Sequence, residues 1–188
     1  LYIAPIASAS AQTIRSPAPT TAELAALGLI ERNILIGASE RWFLVRPPKD
    51  AGRPAPVLLV LHGGGQSMRH LFSSTAGATR AWPDLAAREN ALLLVPNATQ
   101  PATGSAKSDG QTWNDLRQGV SRESKTDDVA FLLGLLDWAQ STYRIDRSRV
   151  YVTGASNGGV MTFRMLMKAP ERFAAGAAFV AALPVDGI

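Results

Sequence analysis

Gly154-Ala155-Ser156-Asn157-Gly158 sets a serine between small residues two positions before and two after it. A serine hydroxyl becomes an acyl-transfer nucleophile when a sharp turn lifts it clear of the backbone and a base can take its proton. The setting suits that chemistry. Arg149-Val150-Tyr151-Val152-Thr153 reads as a buried strand, and a helix reads from about Val160 to Lys168. That is the strand-to-helix junction a nucleophile elbow requires. Ser156 would stand at the positive end of the helix, and Gly159 would let the helix pack closely. In a chain with 16 glycines the bare Gly-x-Ser-x-Gly spacing says little. Its context makes it specific.

Acyl transfer also builds negative charge on the substrate carbonyl oxygen, and preorganised backbone N–H groups stabilise that charge. One donor is expected at Asn157, directly after the nucleophile. The other is expected in His62-Gly63-Gly64-Gly65, at Gly64, with Gly65 as the alternative. A phosphate-binding loop would need a Lys-Ser/Thr ending or a G-x-G-x-x-G spacing, and neither is there.

The elements that must hold these groups follow from local patterning. Glu31–Gly37 and Arg41–Arg46 are β-rich runs around Gly37-Ala38-Ser39, an antiparallel hairpin. Pro56–Leu61 and Ala91–Pro96 are continuous apolar runs, as in parallel strands buried on both faces. Ser67–Ser74 and Trp82–Glu89 read as helices. Asn97–Thr112 is a long polar loop that ends in Trp113-Asn114. A helix starts near Asp127-Asp128, with apolar positions 129, 132, 133, 136 and 143 forming one stripe. The two aspartates suit its first turn and read as structural. Phe173–Leu183 reads as a last strand. The alternation predicts an α/β fold, a mostly parallel sheet with helices on both faces and an N-terminal antiparallel hairpin. Residues 1–28 read as an Ala/Ser/Pro-rich leader and 29–188 as the domain. Ala7-Ser8-Ala9 and Ala9-Ser10-Ala11 fit the small-x-small spacing before a signal-peptide cleavage site, so export is expected.

Five motifs in order, Leu59-Val60-Leu61-His62-Gly63-Gly64-Gly65-Gln66, Thr112-Trp113-Asn114, Asp127–Leu132, Tyr143-Arg144-Ile145-Asp146 and Arg149–Gly159, resemble the secreted polyhydroxybutyrate depolymerase and feruloyl esterase-like branch of the α/β-hydrolases. The likeness runs from about residue 30 to 183. It implies an exported serine esterase without a cofactor, acting on a polyester, a feruloylated or acetylated polysaccharide, or a small ester. It implies Ser156 as nucleophile and the Gly64 and Asn157 amides as oxyanion donors. Trp113 and Asn114 would lie near the active-site mouth as substrate contacts, with a loop-anchoring role as the alternative.

The triad in this superfamily runs Ser, then Asp/Glu, then His. After Ser156 the sequence holds Glu171 and Asp186, neither assigned, and no histidine. His62 reads as a structural member of the glycine loop and His70 as a solvated residue on a surface helix. The expectation is a partial α/β-hydrolase domain, without its C-terminal strands, that has little esterase activity alone. The rival is a non-catalytic polymer- or polysaccharide-binding module on the same scaffold.

Composition narrows the field further. No apolar run approaches the ~20 residues of a membrane span. The absence of Cys excludes a cysteine nucleophile or zinc-thiolate site within this chain, and two histidines argue against a multi-histidine metal site. The net charge of +4 comes from arginines scattered along the sequence, so no nucleic-acid partner is expected.

Overall fold

A computed structural model describes residues 17–107, 109–115 and 126–183. Its chain order is α1 (Thr21–Ala26), β1 (Ile30–Ile36), β2 (Ser39–Arg46), β3 (Ala55–Leu61), α2 (Trp82–Arg88), β4 (Leu92–Pro96), α3 (Asp128–Thr142), β5 (Ile145–Ala155), α4 (Asn157–Lys168) and β6 (Ala175–Phe179). The expected hairpin is β1–β2, in register from Ile30 opposite Val45 to Ile36 opposite Ser39. The strands form one sheet in the order β1-β2-β4-β3-β5-β6. The β1/β2 and β2/β4 pairs are antiparallel. β4, β3, β5 and β6 run parallel, with Leu59 between Leu94 and Val152.

Strand alternation divides the apolar residues between two layers. Val57, Leu59 and Leu61 join Phe43, Leu92 and Leu94 against Phe131, Leu132, Leu135 and Leu136 of α3 and Met161 and Met165 of α4. Val60, Leu44, Leu93 and Val95 face the other way, onto Leu24 of α1, Leu71, Phe72 and Ala86 of α2. Both layers exist because β3 and β4 are apolar at every position, which a strand covered on both faces must be.

The chain leaves β3 toward β4 on one side, then crosses to β5 on the other. Open α/β sheets bind ligands at such a reversal, beyond the carboxyl ends of the strands. Here those ends are Leu61, leading into the glycine loop, and Ala155, leading into Ser156.

Four expectations need correction. The leader does not extend to residue 28. Residues 1–16 lie outside the described residues, but Thr21–Ala26 is helical, closed by a capping box in which Glu23 N–H donates to Thr20 Oγ1 and Thr20 N–H to Glu23 Oε2. Leu24 and Leu29 are buried beneath it. Ser67–Ser74 is not an α-helix but a turn with one 3-10 turn, His70–Phe72. Met68, Leu71 and Phe72 are buried against the sheet face, and their i, i+3, i+4 spacing is that of a helical stripe, which is why the segment reads as a helix. The buried stripe of α3 is 131, 132, 135, 136 and 139, rotated from the expected one, and Val129 and Leu133 only flank it. In so apolar a helix periodicity does not single out one face. Finally, α4 begins at Asn157, so Gly158 and Gly159 are helical. Asp186 lies outside the described residues.

Candidate active site

Ser156 joins β5 to α4 at φ 54° and ψ −121°, in the half of conformational space that L residues avoid. Such strain costs on the order of 1–3 kcal/mol and persists only where the surroundings impose it. They do so here. Ser156 N–H donates to Phe179 O of β6 at 2.9 Å, and Val160 N–H donates to Ser156 O at 3.0 Å. Close approach does the rest. A Cβ on Gly154 would lie 2.5 Å from Gly158 O, and one on Gly159 would lie 2.7 Å from Ala181 Cβ. Ser156 is exposed, and among the described residues its hydroxyl makes no capping bond to α4. It opens on a cavity of about 250 Å³ shared with Gly63, Gln66, His70, Trp82 and Phe179.

The glycine loop stands against the start of α4. A Cβ on Gly64 would lie 3.2 Å from Asn157 Cβ, so the structure brings together the two residues expected to offer amides. Asn157 N–H is in the first helical turn, where no intrahelical acceptor exists. Among the described residues Gly64 N–H meets no backbone acceptor, whereas Gly65 N–H donates to Gln111 O at 2.7 Å. The alternative donor is thus already engaged. The loop is pinned by that bond, by Gln111 N–H to Gln66 O at 2.9 Å, and by Gly63 N–H to Gln66 Oε1 at 3.1 Å.

His62 is fully buried, and both ring nitrogens are committed. Nδ1–H donates to Gly63 O at 2.8 Å, so Nε2 is the acceptor for Ala98 N–H at 3.1 Å. Neither nitrogen is left to take a proton from Ser156. Burial lowers its pKa from 6.5 to about 4, with its bond to Gly63 pulling the other way. The unfolded chain therefore binds a proton at His62 between pH 6.5 and about 4 that the folded chain does not. Stability from this group is complete above that window and falls on acidification through it, by about 3 kcal/mol in all. Urea titrations across the window should show that slope, and His62→Gln should flatten it. Asp128 acts oppositely. Burial raises its pKa against the pull of Arg41, so its contribution favours the fold at low pH and fades as pH rises.

His70 is not solvated as expected. Its side chain is 13% exposed, with Nδ1 2.8 Å from Ser67 Oγ and 3.8 Å from Asp109 Oδ1.

Trp113 and Asn114 lie behind the site rather than at its mouth. Trp113 has no exposed surface to offer a substrate. Its indole N–H donates to His62 O at 2.9 Å, and its ring sits 5.0 Å from the His62 ring. Asn114 is clamped through its backbone and side chain. Its N–H donates to Asp128 Oδ2 at 2.7 Å, its carbonyl accepts from Arg164, and Nδ2–H donates to Thr126 O. The anchoring alternative describes both residues. Sequence reasoning missed the Asn157 side chain and Asp115. Asn157 Oδ1 accepts from Trp113 N–H at 2.7 Å, while Nδ2–H donates to Trp113 O at 3.0 Å and Asp115 Oδ2 at 2.6 Å. It also missed Arg41, whose guanidinium meets Asp128 in a buried pair. Asp127 caps α3 through Ala130 N–H, as its place in the sequence suggested.

Comparison with known proteins agrees with this architecture. The prolyl oligopeptidase family matches residues 102–186. Poly(3-hydroxybutyrate) depolymerase of Ralstonia pickettii is 34% identical over 71% of this chain and 26% of its own length. For acetylxylan esterase A of Emericella nidulans the figures are 36%, 73% and 41%, and for feruloyl esterase B of Neurospora crassa 30%, 74% and 43%. The chain thus spans less than half the length of these relatives. Among solved structures, a thermostable esterase superposes with TM-score 0.60 at 20% identity, covering 84% of this chain and 42% of that one. Acetyl xylan esterase from Aspergillus awamori gives 0.56 at 18%, covering 84% and 57%.

Proposed function

We propose that this chain, whose fold is that of the α/β-hydrolases, carries the nucleophile and oxyanion hole of a serine carboxylic-ester hydrolase. One observation carries the reading: Ser156 is exposed on a strained elbow, followed directly by Asn157, and the glycine loop approaches Asn157 so closely that a Cβ on Gly64 would lie 3.2 Å from Asn157 Cβ. Ser156 Oγ attacks the ester carbonyl carbon and its proton passes to a base. The carbonyl oxygen takes the negative charge and lies against the two N–H groups. Collapse of the tetrahedral species expels the alcohol and leaves an acyl group on Ser156, which water then removes. Each amide is worth a factor of about 10²–10³ in rate. The substrate class is a carboxylic ester: a polyester, a feruloylated or acetylated polysaccharide, or a small ester, as the names of the relatives suggest. The reading includes export, supported by the small-x-small spacing at residues 7–11.

No histidine follows Ser156 in this sequence, and His62 has no free nitrogen. The 188-residue chain alone is therefore expected to turn over little ester. External imidazole can stand in for the base. With p-nitrophenyl acetate and imidazole, mass spectrometry should find one acetyl group on Ser156, absent in Ser156→Ala. An unmodified wild-type chain that is folded would overturn the esterase reading in favour of a binding module. Acetylation without imidazole that disappears in His70→Ala would instead place the base in this chain, since His70 lines the same cavity. No helix among the described residues is long and apolar enough to cross a membrane.

A further inference from the structure

We propose that the Asn157 side chain is a positioning residue for the oxyanion hole, with the buried Asp115 carboxylate as its anchor. This rests on the esterase reading and assigns a role to a side chain where that reading uses only the backbone. The Asn157 carboxamide uses three hydrogen-bonding positions on one short segment: Trp113 N–H, Trp113 O and Asp115 Oδ2. Both Asn157 and Asp115 are buried. The bond to Asp115 Oδ2 is short, at 2.6 Å. The glycine loop approaches the same side chain so closely that a Cβ on Gly64 would lie 3.2 Å from Asn157 Cβ.

Asn157 is thus held between the loop that supplies one amide and the segment that fixes its own. The segment is itself immobilised from three further directions. Trp113 Nε1–H is bonded to His62 O, Asn114 N–H to Asp128, and Asn114 O to Arg164. The separation and angle of the Gly64 and Asn157 amides then depend on a side chain that never meets the substrate. Oxyanion stabilisation needs donors aimed at where charge develops, and a misplacement of about 1 Å can cost on the order of 10²-fold.

The test uses the imidazole-assisted acetylation of Ser156, run with p-nitrophenyl acetate and with its thiono analogue, whose sulfur is a weaker acceptor for the two amides. Asn157→Asp keeps the size of the side chain and the acceptor for Trp113 N–H. It loses both donor bonds and sets a second carboxylate against Asp115. The expected result is acetylation slowed roughly ten- to hundredfold and a smaller preference for the oxygen ester, with a native circular dichroism spectrum. Adding Asp115→Asn reverses donor and acceptor across the same bond and should recover most of the rate. A folded Asn157→Asp chain that acetylates at the wild-type rate overturns the proposal. So does a slowing that is equal for both esters and is not relieved by Asp115→Asn. If Asn157→Asp does not fold, Asn157→Ser is read instead. It is too short to span Trp113 and Asp115, so slowing with a smaller oxygen preference supports the proposal and an unchanged rate overturns it. Failure of the unaltered chain to acetylate is separate from these outcomes and removes the esterase reading itself.

Discussion

Gly158→Ala is expected to leave no cooperatively folded protein. A Cβ at this position would lie 2.5 Å from His62 O, 2.6 Å from Leu61 O and 2.9 Å from Leu61 C. All three are backbone atoms, so no rotamer change relieves the clash. Moving β3 away would break its pairing with β5, where Leu61 lies opposite Gly154. It would also pull His62 O from the Trp113 indole. Moving α4 away would strip Met161 and Met165 from the core. The cost should exceed about 4 kcal/mol, the range reserved for a backbone or core that cannot adjust. A domain holds only about 5–15 kcal/mol in total. Gly37→Ala is the control. Its added methyl would meet nothing within 4 Å, and only its φ of 59° is unfavourable, so a loss of roughly 1 kcal/mol is expected. Urea unfolding followed by circular dichroism compares the two. A Gly158→Ala chain within about 1 kcal/mol of wild type would mean that α4 slides freely over β3, which the close packing forbids.

That elbow was legible because its determinants are local. Small residues at fixed offsets, an apolar run before and a helix after all lie within a few residues of Ser156. The hairpin and the two all-apolar strands were legible for the same reason. The position of Gly64 beside Asn157 followed only because chain order in this fold fixes which strand ends meet. What stayed hidden depends on partners far apart in sequence. Arg41 and Asp128 are 87 residues apart, Trp113 and Asn157 are 44 apart, and nothing near either member marks the other. Trp113 and Asn114 were singled out for their residue types, yet type does not reveal depth. An aromatic and an amide on a polar loop suit a substrate contact and a buried anchor equally well, and only burial separates the two. The α1 cap is a different case. Thr20 and Glu23 carry the local signal of a capping box, hidden by an Ala- and Pro-rich neighbourhood that reads as leader.

Asp128→Ala and Arg41→Met should both destabilise at neutral pH, but only one of them should recover in acid. Arg41 Nη2 lies 2.5 Å from Asp128 Oδ1, with both side chains buried, and the guanidinium carbon lies 4.0 Å over the Phe131 ring. Asp128 Oδ2 also holds Asn114 N–H. Removing one member of such a pair costs about 3–5 kcal/mol, because the other is left charged in a place without water. The two orphans differ in their escape. A guanidinium does not lose its proton, so acid brings Asp128→Ala no relief, and because the variant also lacks the Asp128 contribution that favours the fold at low pH, it should cost no less at pH 5 than at pH 7. A carboxyl can take one up. Burial already holds Asp128 above the usual carboxylate range, and Arg41 is the leading influence opposing it, so Arg41→Met should raise it further. A carboxyl whose folded pKa is raised favours folding below its unfolded pKa and loses that contribution as pH rises through the folded value. Arg41→Met should therefore lose stability relative to wild type at pH 7 and regain part of it toward pH 5. Replacing both residues by apolar side chains should cost less than either single change, since no charge is stranded and what is lost is the Asn114 bond to Asp128, the Arg41 bond to Asn97 O and the guanidinium contact with Phe131. Denaturant titrations of the three variants at the two pH values settle the matter. Equal pH dependence of the two single variants would show that Arg41 and Asp128 are each stabilised by something other than their partner.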